Sequence, residues 1–264
     1  MTDLRKVAVV TGASSGIGAV YADRLAKRGH DLILVARRID RLNALAGKLS
    51  AAYGRRVEVV QADLGNTADL DRVAALLAAN ADIDLLVNNA GLARMVPVAK
   101  SSVGDSLDQI NLNITAVVRL TQAVLPGFVA RNHGTIINIS SILGVQTLPV
   151  SAVYSGTKSF VLSFSRALQA ELAETGVTVQ AVLPAVTATE IWDGAGMAVS
   201  SLDASTVMTA ENMVDAALAG LDSGEAVTLP PVADAALWDN FSAAGQALFL
   251  AARTGKPALR YAVG

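Results

Sequence analysis

The sequence has no cysteine. That removes disulfides, thiolate zinc sites and a cysteine nucleophile, and it suits a reducing cytoplasm. The two histidines, His30 and His133, are too few for a histidine-built centre, so no metal is expected and both read as surface or loop residues. Charge of one sign is scarce: 21 Lys and Arg oppose 23 Asp and Glu, a net of -2 with no long run of either. Such a balance argues against nucleic acid or an anionic membrane as main partner and points to a small ligand. Long apolar runs are also missing. Arg5 and Lys6 precede Val7 to Val10, but Thr11 interrupts well short of the roughly 7–15 apolar residues of a signal peptide. The longest charge-free stretch, 132–157, is broken by Gly, Pro, Asn and Ser and cannot supply the roughly 20 apolar residues of a membrane span. A soluble, cytoplasmic protein is expected.

What is present is a core: 264 residues, 52% hydrophobic. Runs rich in apolar residues recur at Val7–Val10, Leu32–Val35, Val57–Val60, Leu85–Val87, Ile136–Ile139, Val177–Leu183 and Val227–Leu229. Most do not alternate with polar residues, as expected of strands buried on both faces. Between them lie stretches with helical spacing, including 19–28, 40–52, 67–79 and 160–174. Alternating strand and helix predicts an α/β fold: one doubly wound, Rossmann-type parallel sheet with helices on both faces. No linker divides the chain, so 1–264 reads as a single domain, with a substrate lid about 187–209 and a C-terminal helix and tail about 232–264. In such a sheet the ligand lies beyond the carboxyl ends of the strands.

Directly after the first strand comes "TGASSGIG", with Gly12, Gly16 and Gly18 leading into a helix. Backbone without side chains lets a pyrophosphate approach, and the helix N-terminus offers unpaired N–H groups and a positive dipole end. Ser14, Ser15 and Ile17 belong to the same cradle. A Gly-rich turn that merely packs is the plain alternative. A P-loop is discounted because Gly18 is followed by Ala19 and Val20, not by Lys and Ser or Thr. The second strand ends "LVARRIDR", with Ala36 where a ribose-binding acid would stand, then Arg37 and Arg38. Arginine suits a phosphate monoester, so NADP(H) is favoured over NAD(H), unless both arginines are ordinary solvated charges. Asp63 and Leu64 follow the third strand, and Asn88, Asn89, Ala90 and Gly91 follow the fourth. These fit an adenine contact and passage of the cofactor ribose, and equally fit turn chemistry.

Tyr154 and Lys158 stand four apart at the start of a helix, one turn apart on one face. Alone, such a pair is usually surface. As a unit it is chemistry, because an ammonium within roughly 4–6 Å can lower a phenol's pKa by about 1–3 units and make it an acid/base. Together, "TGASSGIG", "NNAG" and a serine thirteen residues before "YxxxK" resemble the short-chain dehydrogenase/reductase family over roughly residues 5–230. The resemblance implies an NADP(H)-dependent oxidoreductase. Tyr154 would be the proton donor and acceptor and Ser141 the partner of the substrate oxygen. Lys158 would bind the nicotinamide ribose and depress the tyrosine pKa. A helix asparagine completes the family's tetrad by holding a relay water; the spacing from Thr121 and Gln122 selects Asn113, leaving Asn111 to packing or capping. Gly12, Gly16, Gly18, Asp63, Asn89 and Gly91 match the family's cofactor contacts, and Arg37 matches its determinant of NADP(H) preference.

One departure is visible. The family places Pro-Gly after the sixth strand and then a Thr near the nicotinamide; here the segment reads "LPAVTATEIW", with Pro184, Ala185, Thr187 and Thr189. Ala allows less backbone freedom than Gly. Substrate walls are expected from Leu92–Val98, Ile142–Val150, Ile191, Trp192, Met197 and Leu202, or these are plain core. Residues 193–205, rich in Gly, Ala and Ser, read as a mobile lid. No Arg or Lys lies between Thr187 and Asp215, so an uncharged, fairly apolar ketone, aldehyde or alcohol is expected, reduction with NADPH being the favoured direction. The apolar face of Phe160, Phe164, Leu168 and Leu172, with the helix near Asn113, predicts a homodimer or homotetramer. The rival reading, an NADP-binding regulatory or scaffold protein of the same fold, would be marked by loss of the Tyr or Lys.

Overall fold

A computed structural model describes residues 6–196 and 199–261. The chain falls into two compact units, Met1–Pro231 and Val232–Gly264. In the first, the strands are β1 (Val7–Thr11), β2 (Asp31–Ala36), β3 (Val57–Gln61), β4 (Ile83–Asn88), β5 (Gly134–Ile139), β6 (Val177–Val182) and β7 (Val227–Thr228). They form one parallel sheet in the order β3-β2-β1-β4-β5-β6-β7. Its helices are α1 (Gly16–Lys27), α2 (Ile39–Tyr53), α3 (Thr67–Ala79), α4 (Val103–Ile110), α5 (Ala116–Ala130), α6 (Ala152–Glu171) and α7 (Ala210–Asp222).

Strand side chains alternate between faces, so the unbroken apolar runs feed two cores. Val7, Val9, Ile33 and Val35 join Leu70 and Val73 of α3, Leu120 and Phe128 of α5 and Leu168 of α6. Ala8, Val10, Leu32 and Leu34 join Tyr21 and Leu25 of α1, Leu42 and Leu49 of α2 and Met213 of α7. Covered on both sides, the sheet leaves its carboxyl ends free. The strand order reverses between β1 and β4, and a crevice opens there.

The start of α1 differs from the expected one for an identifiable reason. α1 begins at Gly16, inside the glycine cradle, because residues 16–18 carry no apolar period that would announce a helix. α6 begins at Ala152, so Tyr154 and Lys158 stand in its first two turns, as expected, while its apolar period opens only at Phe160. Between α4 and α5 the backbone widens into one π turn, Asn111–Thr115, giving a continuous helical run 103–130. By length and composition that run could cross a bilayer, yet Leu120, Val124 and Phe128 are core residues packed beneath the sheet.

At the amino ends of the strands, His30 precedes β2 with only 14% of its side chain exposed, its Nε2 3.8 Å from Asp84 Oδ2. It occupies a loop, as expected, but is not a surface residue. The second unit holds α8 (Ala236–Ala251), whose only charged residue is Asp239. Trp238 stacks on Phe241 with centroids 5.4 Å apart, and Leu237, Leu248 and Phe249 are exposed.

Candidate active site

The turn from β1 to α1 is shaped by close approach. Gly12 and Gly16 have φ of +65° and +54°, left-handed values that a side chain disfavours. A Cβ on Gly18 would sit 2.5 Å from the Gly12 carbonyl oxygen, and one on Gly12 2.8 Å from Asn89 Nδ2. The cradle is therefore a space that any side chain would fill. Ser15 precedes the helix without capping it, and the first turn carries no acid, so the N–H groups and dipole are left for an anion.

One hydroxyl ties this turn to β4. Thr11 Oγ1 donates to Val87 O at 3.1 Å and accepts from the N–H groups of Asn89 and Ala90, both at 3.0 Å. Asn89 Nδ2 donates to Thr11 O at 2.8 Å. The two strand ends flanking the reversal are thus held in one register, which sets the floor of the crevice.

Along that floor lie Ser14, Ala36, Arg37, Arg38, Asp63 and Leu64 at one end and Ala90 and Gly91 in the middle. Toward Lys158 and Thr189 the crevice has a volume of about 280 Å³, with Ile17 and Asn89 in its wall. Asp63 Oδ1 accepts from Gly65 N–H at 3.0 Å, the turn chemistry allowed for it, and the residue still lines the end of the crevice that holds Arg37 and Arg38. Arg38 is held over the cradle by Ser14 Oγ at 3.1 Å and Ser15 Oγ at 2.6 Å, and pairs with Glu190 Oε2 at 2.6 Å. Arg41 takes the other oxygen of Glu190 at 2.6 Å. The two guanidinium groups hold that carboxyl down at about 2. Arg37 is exposed and makes no side-chain hydrogen bond or ion pair among the described residues. A dinucleotide phosphorylated on its adenosine ribose fits this set: glycines for the pyrophosphate, arginines for the monoester.

At the other end the groups are buried. Lys158 is 5% exposed and donates from Nζ to Ile139 O at 2.8 Å, with Tyr154, 7% exposed, one turn earlier on α6. The ammonium stands 5.7 Å from the tyrosine ring centroid. Burial, not this neighbour, governs the phenol. Desolvation raises Tyr154 to about 12 while the Ser141 hydroxyl pulls it back only in part, and burial lowers Lys158 to about 8. The expectation that Lys158 leaves Tyr154 with a depressed pKa is therefore corrected: in this apolar setting Tyr154 keeps its proton. Ser141 caps a short turn, accepting from Leu143 N–H at 3.1 Å.

Asn113 sits in the π turn, 1% exposed, whereas Asn111 is exposed. Its amide pairs with the backbone of Leu92 twice, accepting at 2.9 Å and donating at 2.9 Å, and donates to Thr157 Oγ1 at 3.0 Å. Thr157 in turn donates to Tyr154 O at 2.7 Å. Gly91 lets Asn113 and Lys158 close in, since a Cβ there would meet Asn113 Oδ1 at 3.1 Å.

The segment after β6 closes the site. Among the described residues only Asn132 is a non-glycine with positive φ, so Ala185 takes ordinary backbone and its Gly-to-Ala departure strains nothing. Pro184 O accepts from Ile142 N–H at 2.9 Å, Thr187 is buried, and the Thr189 methyl lies where a Gly16 Cβ would be, 2.9 Å away. Ala93, Met95, Leu143, Ile191, Trp192 and Ala195 gather around Tyr154 as an apolar wall. Met197 lies outside the described residues. One cation borders this wall after all: Arg94 donates to Gly194 O at 2.8 Å, and Asp105 faces it at 3.5 Å.

Sequence reasoning missed Thr11, Arg41, Thr157 and Glu190. Arg41 had a signal, its place one helical turn after Arg38. Thr11, Thr157 and Glu190 act through partners far away in sequence, which spacing does not reveal.

The short chain dehydrogenase family pattern matches residues 6–198. A very-long-chain 3-oxoacyl-CoA reductase of Anas platyrhynchos is 42% identical over 189 residues, covering 70% of this chain and 60% of that protein. The chain thus spans about three fifths of the length of such curated relatives. Among solved structures, a short-chain dehydrogenase from Sphingobium yanoikuyae in complex with NADPH is 46% identical with TM-score 0.94, covering 97% of this chain and 100% of that one. The bulky-bulky ketone specific alcohol dehydrogenase from Comamonas testosteroni is 38% identical with TM-score 0.90, over 97% and 98% of the two chains. Family pattern, strand order and the Ser141, Tyr154 and Lys158 geometry agree, and this chain belongs to the short-chain dehydrogenase family.

Proposed function

We propose that this chain is an NADP(H)-dependent oxidoreductase that interconverts a carbonyl and an alcohol on a small, fairly apolar substrate. The observation that carries this reading is buried Lys158 lining the far end of a glycine-floored crevice whose near end presents Arg37 and Arg38, with buried Tyr154 one turn earlier on the same helix. The Sphingobium relative was solved with NADPH, and the Comamonas and duck relatives are named for a bulky ketone and a 3-oxoacyl substrate.

Bound NADP(H) supplies or accepts the hydride at its nicotinamide ring. The protein's part is orientation and the proton. Pushed up by burial, the Tyr154 phenol is protonated at neutral pH and donates to a substrate oxygen as negative charge develops there during reduction. Ser141 donates a hydrogen bond to that same oxygen. Lys158 spends one of its three donors on Ile139 O, leaving two for ribose hydroxyls. Asn113 fixes Leu92, the start of the substrate wall, and through Thr157 the backbone of Tyr154. The apolar wall excludes water and accepts uncharged groups on either side of a carbonyl.

The test is the absorbance of NADPH and NADH with a panel of small and bulky ketones. NADPH is consumed and NADH is not. Tyr154→Phe lowers turnover by about 10²–10⁴-fold with NADPH binding retained; equal use of both cofactors removes the role of the arginines, and undiminished turnover removes Tyr154.

Self-association is part of the proposal. Val103, Leu107 and Ile110 form an exposed apolar stripe on α4, and Phe160 stacks on Phe164 on α6 with centroids 5.8 Å apart. A homodimer or homotetramer through these helices follows, and a monomer mass by light scattering refutes it. The lack of cysteine supports a cytoplasmic setting.

A further inference from the structure

Glu190 stands where two sites meet. Its carboxylate bridges Arg38 and Arg41, each at 2.6 Å, and Arg38 is the guanidinium that Ser14 and Ser15 hold at the phosphate end of the crevice. The next two residues, Ile191 and Trp192, pack into the apolar cluster on Tyr154. Three consecutive residues in one short turn therefore touch the phosphate end with a charge and the reaction end with a wall. Trp192 is fixed further by Nε1 donating to Thr187 O at 2.8 Å, and Ala195 O accepts from Met95 N–H at 2.8 Å.

We infer that Glu190 is an internal anion that holds the clasp meant for a ribose 2′-phosphate, so that a phosphorylated cofactor, and not its unphosphorylated counterpart, releases the wall over Tyr154. The exchange is physically easy in this direction. All three partners are about half exposed, at 45% for Glu190, 41% for Arg38 and 50% for Arg41, and exposed ion pairs are individually weak. A phosphate monoester brings more charge and three acceptor oxygens to the same fork. Once displaced, Glu190 no longer anchors the turn that carries Ile191 and Trp192. Glu190 thus acts as a specificity-determining residue: the 2′-phosphate is selected both by its attraction to the arginines and by its effect on access to Tyr154. This rests on the NADP(H) reading above.

Trp192 provides a readout independent of turnover. In a Trp238→Phe background it is the only tryptophan, and 2′,5′-ADP serves as a probe that carries the phosphate without a nicotinamide. Calorimetry shows 2′,5′-ADP binding, and its addition moves Trp192 emission to longer wavelength, while 5′-ADP leaves the emission unchanged. Glu190→Gln, an exposed and nearly isosteric change, gives the shifted emission before any ligand is added and binds 2′,5′-ADP about two- to fivefold more tightly. Arg41→Gln, which frees one carboxylate oxygen, gives an intermediate emission. Binding without an emission change overturns the clasp, and a full ligand-induced shift in Glu190→Gln overturns the part given to Glu190. Failure of 2′,5′-ADP to bind overturns the NADP(H) reading itself, and the clasp with it.

Discussion

The two ends of the crevice are built by opposite means. At the phosphate end the walls are backbone, made possible by missing side chains at Gly12, Gly16 and Gly18, and the charges of Arg37, Arg38 and Arg41 stay in water. At the reaction end the walls are side chains, and Asn113, Ser141, Tyr154 and Lys158 are each at least nine-tenths buried. Water screens the first end, so it recognises charge by number and geometry. The second end excludes water, and burial itself shifts Tyr154 up and Lys158 down. Binding needs the first arrangement, proton transfer the second.

Substitutions that respect this division should affect one end at a time. Arg37→Ala removes a guanidinium that has no partner to lose, so its whole effect falls on the ligand. NADPH affinity drops about ten- to hundredfold, the worth of a charged hydrogen bond of about 1.5–3 kcal/mol, and NADH affinity does not change. Calorimetric titration of both decides it, and equal losses would mean that the division is false.

A pH series separates the ends without mutation. Below about 8 Lys158 is an ammonium; above it the amine is neutral and its hold on ribose hydroxyls weakens. Carbonyl reduction is then steady up to about pH 7, halved at about pH 8 and down about tenfold by pH 9 if it needs the charged form. Guanidinium groups keep their charge over that range, so 2′,5′-ADP affinity stays flat. A parallel decline of both would make the reaction end no more buried, in effect, than the other.

Thr157→Val tests whether the reaction end depends on its hydrogen bonds. It leaves one donor of Asn113 Nδ2 unmatched and frees the Tyr154 carbonyl, at about 1–3 kcal/mol. The thermal midpoint falls by about 2–4 °C for each kcal/mol, turnover falls several-fold, and NADPH affinity is retained. Loss of affinity equal to the loss of turnover would show that Asn113 supports both ends.

The smallest effect lies outside both. His30 faces Asp84 at the amino ends of β2 and β4, and burial lowers its pKa. The folded state therefore prefers neutral imidazole; the stability this gives is present above about 6.5 and lost as pH falls from there through the lower folded value. Burial raises Asp84, which works the other way, its contribution being lost as pH rises above the unfolded value. Urea denaturation between pH 7 and 5 shows a decline of about 1 kcal/mol or less that His30→Gln removes.

How much of this could be read from the chain follows the same division. The phosphate end was legible because its requirements are local: three glycines in seven residues, and Ala36 where an acid would stand with Arg37 and Arg38 directly after it. The strands were legible because burial on both faces writes itself as unbroken Val, Ile and Leu. Tyr154, Lys158 and Ser141 were legible as a spacing, but the sign of the phenol's shift was not, since it depends on Ala93, Met95 and Trp192 arriving from distant segments. The start of α6 was legible through the Tyr154 and Lys158 spacing and not through an apolar period, which opens only at Phe160. Thr11 and Thr157 look like any threonine until the carbonyls they meet are known.

The wide turn at Asn111–Thr115 has one more implication. Closing a ring over five residues in place of four inserts one extra position, about 100° of rotation for every side chain upstream. That offset lets a single rod present Leu120, Val124 and Phe128 inward while turning Val103, Leu107 and Ile110 outward. The residue that aligns the reacting groups is thus also the gear that aims the outer stripe. Any change that restored regular winding there would misdirect both at once.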